Sequence, residues 1–127
     1  MFSHVTLGTN DFAKAEKFYA AVMGELGHPV MFKTDRMVAY GTPTGEKRFI
    51  VPPFDGKDAR PGNGVHVAFI VDARAKVDAF HQAALANGGT DEGAPGPRPH
   101  YHKNYYGAYV RDPDGNKIQA VCHRAPR

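Results

Sequence analysis

The sequence predicts an α+β fold of two βαβββ modules, their strands forming a cupped mixed sheet with the helices on its outer face. Three observations carry this. The chain repeats: the 24 residues from His4 align without a gap on the 24 from His66, with His4/His66, Val5/Val67, Ala13/Ala75, Lys14/Lys76, Phe18/Phe80, Ala21/Ala83 and Gly27/Gly89 identical. Chance at average composition gives about one or two identities. Each copy passes from strand-like alternation to a helical stripe. A further match, at an offset of 70, sets Pro43-x-Gly45-x-Lys47 against Pro113-x-Gly115-x-Lys117 and Val51 against Val121. The second copy therefore carries an insertion, placed at the Pro/Gly-rich run from Gly93 to Pro99.

From His4 to Thr9, Val5 and Leu7 share one face and His4 and Thr6 the other, the period of a half-buried strand. Asn10 or Asp11 supplies an N-cap. Ala15, Phe18, Tyr19 and Val22 follow at i, i+3, i+4 and i+7, a helical stripe that stops near Gly24 or Gly27. In the second copy Val67, Phe69 and Val71 make the strand face, Asp72 caps, and Val77, Phe80, His81 and Ala84 form the stripe before Gly88-Gly89. Shorter strand-like pieces come next: Val30–Lys33, Arg36–Tyr40 and Arg48–Val51 in the first half, Thr90–Gly93, Tyr105–Arg111 and Lys117–His123 in the second. Thr34-Asp35, Pro43–Gly45 and Asp112–Asn116 break them. One domain thus spans 1–127, as module 1 (1–52), a linker (53–63) and module 2 (64–123).

A chain of 127 residues can bury about two-thirds of its unfolded surface, enough for a self-sufficient fold. No apolar run approaches the roughly 18 residues of a membrane span, the N-terminus is polar by Ser3, and a single Cys excludes an internal disulfide; a cytoplasmic protein is expected. The net charge of +3 is scattered, with no run of five Lys or Arg, which argues against nucleic-acid binding. The weak positive balance suits an anionic small ligand better than an anionic polymer.

Strand parity then places candidate residues. If Val5 and Leu7 face the helix, His4 faces the cup, and so does His66. In the last strand Ile118, Ala120 and Cys122 take the helix side, leaving Gln119, Val121 and His123 to the cup. Asp112-Pro113-Asp114-Gly115-Asn116 reads as a tight turn, Cys122 as a small buried residue, and His28 and His81 as surface or packing residues.

Paired βαβββ modules, a His opening each copy, and DPDGNKIQ near the end resemble the vicinal oxygen chelate superfamily: glyoxalase I, extradiol dioxygenases, fosfomycin-resistance thiol transferases and bleomycin-resistance proteins. The resemblance covers essentially the whole chain, and YHKNYYGAYVRDPDGNKIQAVCH is most similar to bacterial glyoxalase-like members. It implies the glyoxalase/dioxygenase-like fold, a homodimer, and a divalent metal held by His4 and His66 together with a carboxylate five positions after Asp114. That position is Gln119. Glyoxalase I adds a ligand from the matching strand of the first module; the offset puts Phe49 there, or Ile50 if the register slips by one, and neither coordinates.

Two imidazoles and a carboxylate suit Fe, Mn, Ni or Zn with positions open for substrate. An amide is a weaker, neutral ligand and cannot be the base that moves a proton beside a carbonyl. Two functions stay open. One is a glyoxalase/dioxygenase-class metalloenzyme, a lyase, isomerase or dioxygenase, whose metal on His4, His66 and Gln119 chelates a small-molecule substrate through adjacent oxygens. His102 and Tyr105 would be its catalytic groups, and Phe49, His100 and Tyr106 would line the substrate site. The other is a metal-free small-ligand-binding or resistance protein of the bleomycin-resistance type, supported by Phe49 and Gln119 at the two carboxylate positions. The cluster His100, Tyr101, His102, Tyr105 and Tyr106 reads either as a solvated Pro-rich loop or as the wall of a pocket.

Overall fold

Both halves fold as βαβββ. The computed structural model describes residues 1–126 and runs β1 (His4–Gly8), α1 (Phe12–Leu26), β2 (Val30–Lys33), β3 (Val38–Gly41), β4 (Lys47–Val51), β5 (His66–Val71), α2 (Arg74–Ala86), β6 (Thr90–Pro97), β7 (Tyr106–Arg111) and β8 (Lys117–Cys122). The strands form two four-stranded mixed sheets, ordered β1-β4-β3-β2 and β5-β8-β7-β6. In each, the first strand runs parallel to the last and the other neighbours are antiparallel. β1 and β5 are the outer strands of their sheets, and each leaves one edge without a ladder partner.

The predicted stripes are the core. Ala15, Phe18, Tyr19 and Val22 are fully buried on α1, as are Val77, Phe80 and Ala84 on α2. They pack with Leu7, Ile50, Phe69, Val71, Val110 and Ile118 in one cluster spanning both modules. α1 and α2 touch along this seam, so the modules share an interior. A hydrogen bond of 2.6 Å locks it: Tyr19 Oη on α1 donates to Asp112 Oδ2 in the β7–β8 turn. Asp112 also accepts from the backbone N–H groups of Asp114 and Asn116 and from Asn116 Nδ2. Burial nevertheless outweighs these bonds and holds its carboxyl above the ordinary range.

Three local expectations change. Asp11 does cap α1, accepting from Lys14 N at 3.1 Å, but Asp72 does not cap α2. Ala73 occupies that position without a side-chain bond, and Asp72 instead pairs with Lys76 one turn on, at 3.0 Å. Second, the strand expected over Thr90–Gly93 runs on to Pro97, taking in most of the Gly93–Pro99 insertion through register shifts beside Gly93. Prolines are tolerated there because β6 is an edge strand whose outward N–H groups need no partner. Third, β3 begins at Val38, two residues later than expected, because the Thr34–Met37 turn closes with Thr34 N donating to Met37 O.

Candidate functional site

Register fixes which side chains share a face. Ala68 pairs with Gln119, and Gln119 with Tyr109; the equivalent row in module 1 is Thr6, Phe49 and Ala39. Phe49 is therefore the counterpart of Gln119, while Ile50, 1% exposed, belongs to the helix side. On module 2, His66, Gln119, Tyr105 and Tyr109 open onto a cleft of about 480 Å³, with Arg98, His100, Tyr101, Lys117 and Glu92 completing its walls.

A chain of hydrogen bonds runs across its floor. Gln119, only 2% exposed, donates from Nε2 to Tyr105 Oη at 2.8 Å. Its Oε1 lies 2.9 Å from His66 Nε2 and accepts from the Nε2–H tautomer of that ring. Tyr105 Oη meets Tyr109 Oη at 3.3 Å. Burial first, then the bond to Tyr105, pushes the Tyr109 phenol up to about 12, so it stays neutral at physiological pH. The amide of Gln119 is thus spent at both ends.

His4 stands elsewhere. It hydrogen-bonds Ser3 Oγ at 2.9 Å and meets Phe49 edge-on, ring centroids 5.1 Å apart. It borders a separate cleft of about 360 Å³, which His66 also touches, along with Phe2, Glu46 and Lys47. The expected convergence of His4, His66 and Gln119 is therefore partial: His66 and Gln119 are in contact, and His4 does not line the Gln119 cleft. Among the described residues no group of three or more His, Cys, Asp or Glu is arranged to hold a metal ion. The His66–Gln119 pair, 2.9 Å apart, is joined by an N–H···O hydrogen bond that a metal would have to replace.

Of the remaining candidates, His100 and Tyr105 line the cleft. Tyr106 does not. It pairs with Cys122 on the helix side, where its hydroxyl donates to Asp78 at 2.7 Å and Arg74 lies over its ring. Adjacent strand residues face opposite ways, so Tyr105 and Tyr106 could not both face the cup. His102 lies outside the cleft: its Nδ1 accepts from Asn104 N and its Nε2–H donates to His123 Nδ1 at 2.9 Å. Arg98, Tyr109 and Lys117 were not singled out from sequence. Parity carried a signal for Lys117, which shares the face of Gln119, whereas Arg98 depends on how β6 bends. A larger cleft, about 670 Å³, lies on the cup face of module 1 under Pro52–Arg60 and contains no imidazole.

The family profile of the Glyoxalase/Bleomycin resistance protein/Dioxygenase superfamily matches residues 1–120. The chain belongs to that superfamily. A glyoxalase/bleomycin resistance protein from Albidiferax ferrireducens T118 is 41% identical and superposes with a TM-score of 0.87, over 98% of this chain and 99% of that one. A glyoxalase-related enzyme from Fulvimarina pelagi, 23% identical, gives 0.75 over 96% and 87%. The lactoylglutathione lyase of Agrobacterium tumefaciens, 22% identical, gives 0.65 over 96% and 92%. The last two are likenesses of fold. No curated protein matches the chain. Within the glyoxalase superfamily this member presents an amide and a phenylalanine at the register-equivalent positions 119 and 49. Among the described residues no helix is long and apolar enough to cross a membrane.

Proposed function

We propose that the chain binds a small molecule in the module 2 cleft without a metal, as a ligand-binding member of its superfamily. The observation supporting this is the closed bond network His66–Gln119–Tyr105–Tyr109. Gln119 stands where the resemblance implies a carboxylate, and it acts as a neutral strut that orders the floor. The imidazole in contact with Gln119 is His66, whose Nε2 is engaged, while His100 and Glu92 line other parts of the cleft. A second reading, the metalloenzyme, rests on His66 and Gln119 being in contact, so that breaking their hydrogen bond would free two neighbouring donors. His4 of a second copy would be the third donor, and the metal would then supply Lewis-acid chemistry.

The homodimer belongs to this proposal. β1 and β5 carry free edges, and beside them Ile70 and Val65 are 70% and 63% exposed, an apolar rim that a second copy would cover. Light scattering on the eluting protein should give about twice 13.9 kDa; a monomer mass overturns the dimer. Plasma mass spectrometry on untagged protein, with His66→Ala as control, decides between the two functions. Near-stoichiometric Fe, Mn, Ni or Zn that is lost in the variant would overturn the metal-free reading.

A further inference from the structure

The geometry points to an anion-binding subsite on one wall of the module 2 cleft, formed by Arg98 and Lys117 about the ring of Tyr109, and taking a carboxylate or phosphonate on a planar body. This deepens the ligand-binding role proposed for the same cleft and rests on it.

Both cations sit over one ring. Lys117 Nζ lies 5.5 Å and the Arg98 guanidinium 5.6 Å from the Tyr109 ring centroid, both within cation–π reach. Arg98 is also pinned to the chain: Nη1 donates to Gly96 O at 2.9 Å and to Pro97 O at 3.4 Å, and Nη2 to Ala94 O at 2.9 Å. These bonds orient the guanidinium and leave Nε–H and one Nη2–H for a ligand.

The charge on this wall is not neutralised from within. Neither Arg98 nor Lys117 has a carboxylate within salt-bridge distance among the described residues. The one carboxylate bordering the cleft, Glu92, is bonded at 2.6 Å to Arg111. Tyr109 cannot serve as counter-ion, since its phenol keeps its proton up to about pH 12. A cleft with these two cations, whose one bordering carboxylate is taken up by Arg111, concentrates positive potential where a small acid would enter.

The turn that carries Arg98 suggests the rest of the molecule: Tyr101 N donates to Arg98 O, and Arg98 N to Tyr105 O. His100, Tyr101 and Tyr105 form a run of tilted aromatic contacts, with centroid separations of 4.3 Å and 4.7 Å at 44° and 51°, and Tyr101 is 60% exposed. A planar body laid on this face leaves its acidic group to the cations, and Tyr105 and Gln119 mark the floor between.

The test is a titration of the ¹⁵N-labelled protein with phenylphosphonate, benzoate and their neutral analogue benzamide, followed by amide shifts. Phenylphosphonate and benzoate are expected to move the amides of β8 and the 98–105 segment, and to bind at least tenfold more tightly than benzamide. Lys117→Gln and Arg98→Gln should each weaken the anions by on the order of ten- to a hundredfold and leave benzamide unchanged. Lys117→Gln carries the test if Arg98→Gln loosens β6. Equal affinity of acid and amide in this cleft, or anion affinity unchanged in Lys117→Gln, overturns the anion subsite alone. Shifts confined to other clefts, or none with any of the three probes, overturn it together with the module 2 ligand site.

Discussion

Replacing Tyr19 by Phe removes one hydroxyl and nothing else, at the point where α1 of module 1 grips the β7–β8 turn of module 2. The bond is short, 2.6 Å, and both partners are buried, Tyr19 fully and Asp112 to 4% exposure. A hydrogen bond to a charged group is worth about 1.5–3 kcal/mol, and Asp112 keeps its three other donors, so the loss should stay within that range. For 127 residues the unfolding entropy near the midpoint is about 0.27 kcal/mol/K, which converts this loss to about 6–11 °C in Tm. The assay is thermal unfolding by circular dichroism, with Tyr106→Phe as control. Tyr106 also bonds a carboxylate, Asp78, but an exposed one, and its loss should cost under about 2 °C. A drop for Tyr19→Phe no larger than that of Tyr106→Phe would refute the claim that this contact clamps the modules together. A cycle with Asp112→Asn should show coupling for the same reason.

Three further outcomes follow from the same structure. His28 is packed edge-on against Phe69, and burial, with Arg48 adding to it, lowers its pKa to about 4 from the ordinary 6.5. The unfolded chain therefore binds the extra proton first, so this stability is complete above pH 6.5 and is lost as pH falls toward 4. The residue is partly exposed, so the effect is on the order of 1–2 kcal/mol; His28→Leu should shrink the Tm difference between pH 7 and pH 4.5, and an unchanged difference counts against it. Gly89→Ala would set its Cβ 2.8 Å from Ala84 O and 3.0 Å from Arg111 O, and should cost more than about 2 kcal/mol in urea unfolding. Gly27→Ala meets open space and strains only φ at +77°, about 1 kcal/mol, so equal losses would contradict this contrast. Gln119→Glu puts a carboxylate beside His66, and should raise Zn or Ni retention at some cost in stability; unchanged retention would show that the amide is not what disfavours a metal.

Much of this protein was readable before any coordinates, because the relevant signals are local. Strand parity put Leu7, Phe69 and Ile118 inside and His66 and Gln119 on the cup face, since side chains alternate whatever the strand packs against. Helical spacing picked out Phe18, Tyr19, Val22, Val77 and Phe80, which are the buried residues of α1 and α2. The repeat equated Phe49 with Gln119, and ladder register agrees. Parity also bears on Tyr105 and Tyr106: they are neighbours, so only one of them lines the site.

What periodicity could not carry is distance between segments far apart in sequence. Gly27 and Gly89 are identical in the repeat, yet one is required by a left-handed helix end and the other by close packing on Phe18 and Ala84. His4 and His66 are also equivalent by repeat, but only His66 meets Gln119, because β1 and β5 belong to separate sheets. Arg98 reaches the cleft only because bulges bend β6, and its neighbours in space, Tyr109 and Lys117, are 11 and 19 residues away. The chain alone determined the elements, their faces and the family of the fold. Tertiary packing decided which faces meet, and hence that two cations flank a tyrosine in the cleft and that Gln119 bonds His66 and Tyr105 while His4 borders another cleft.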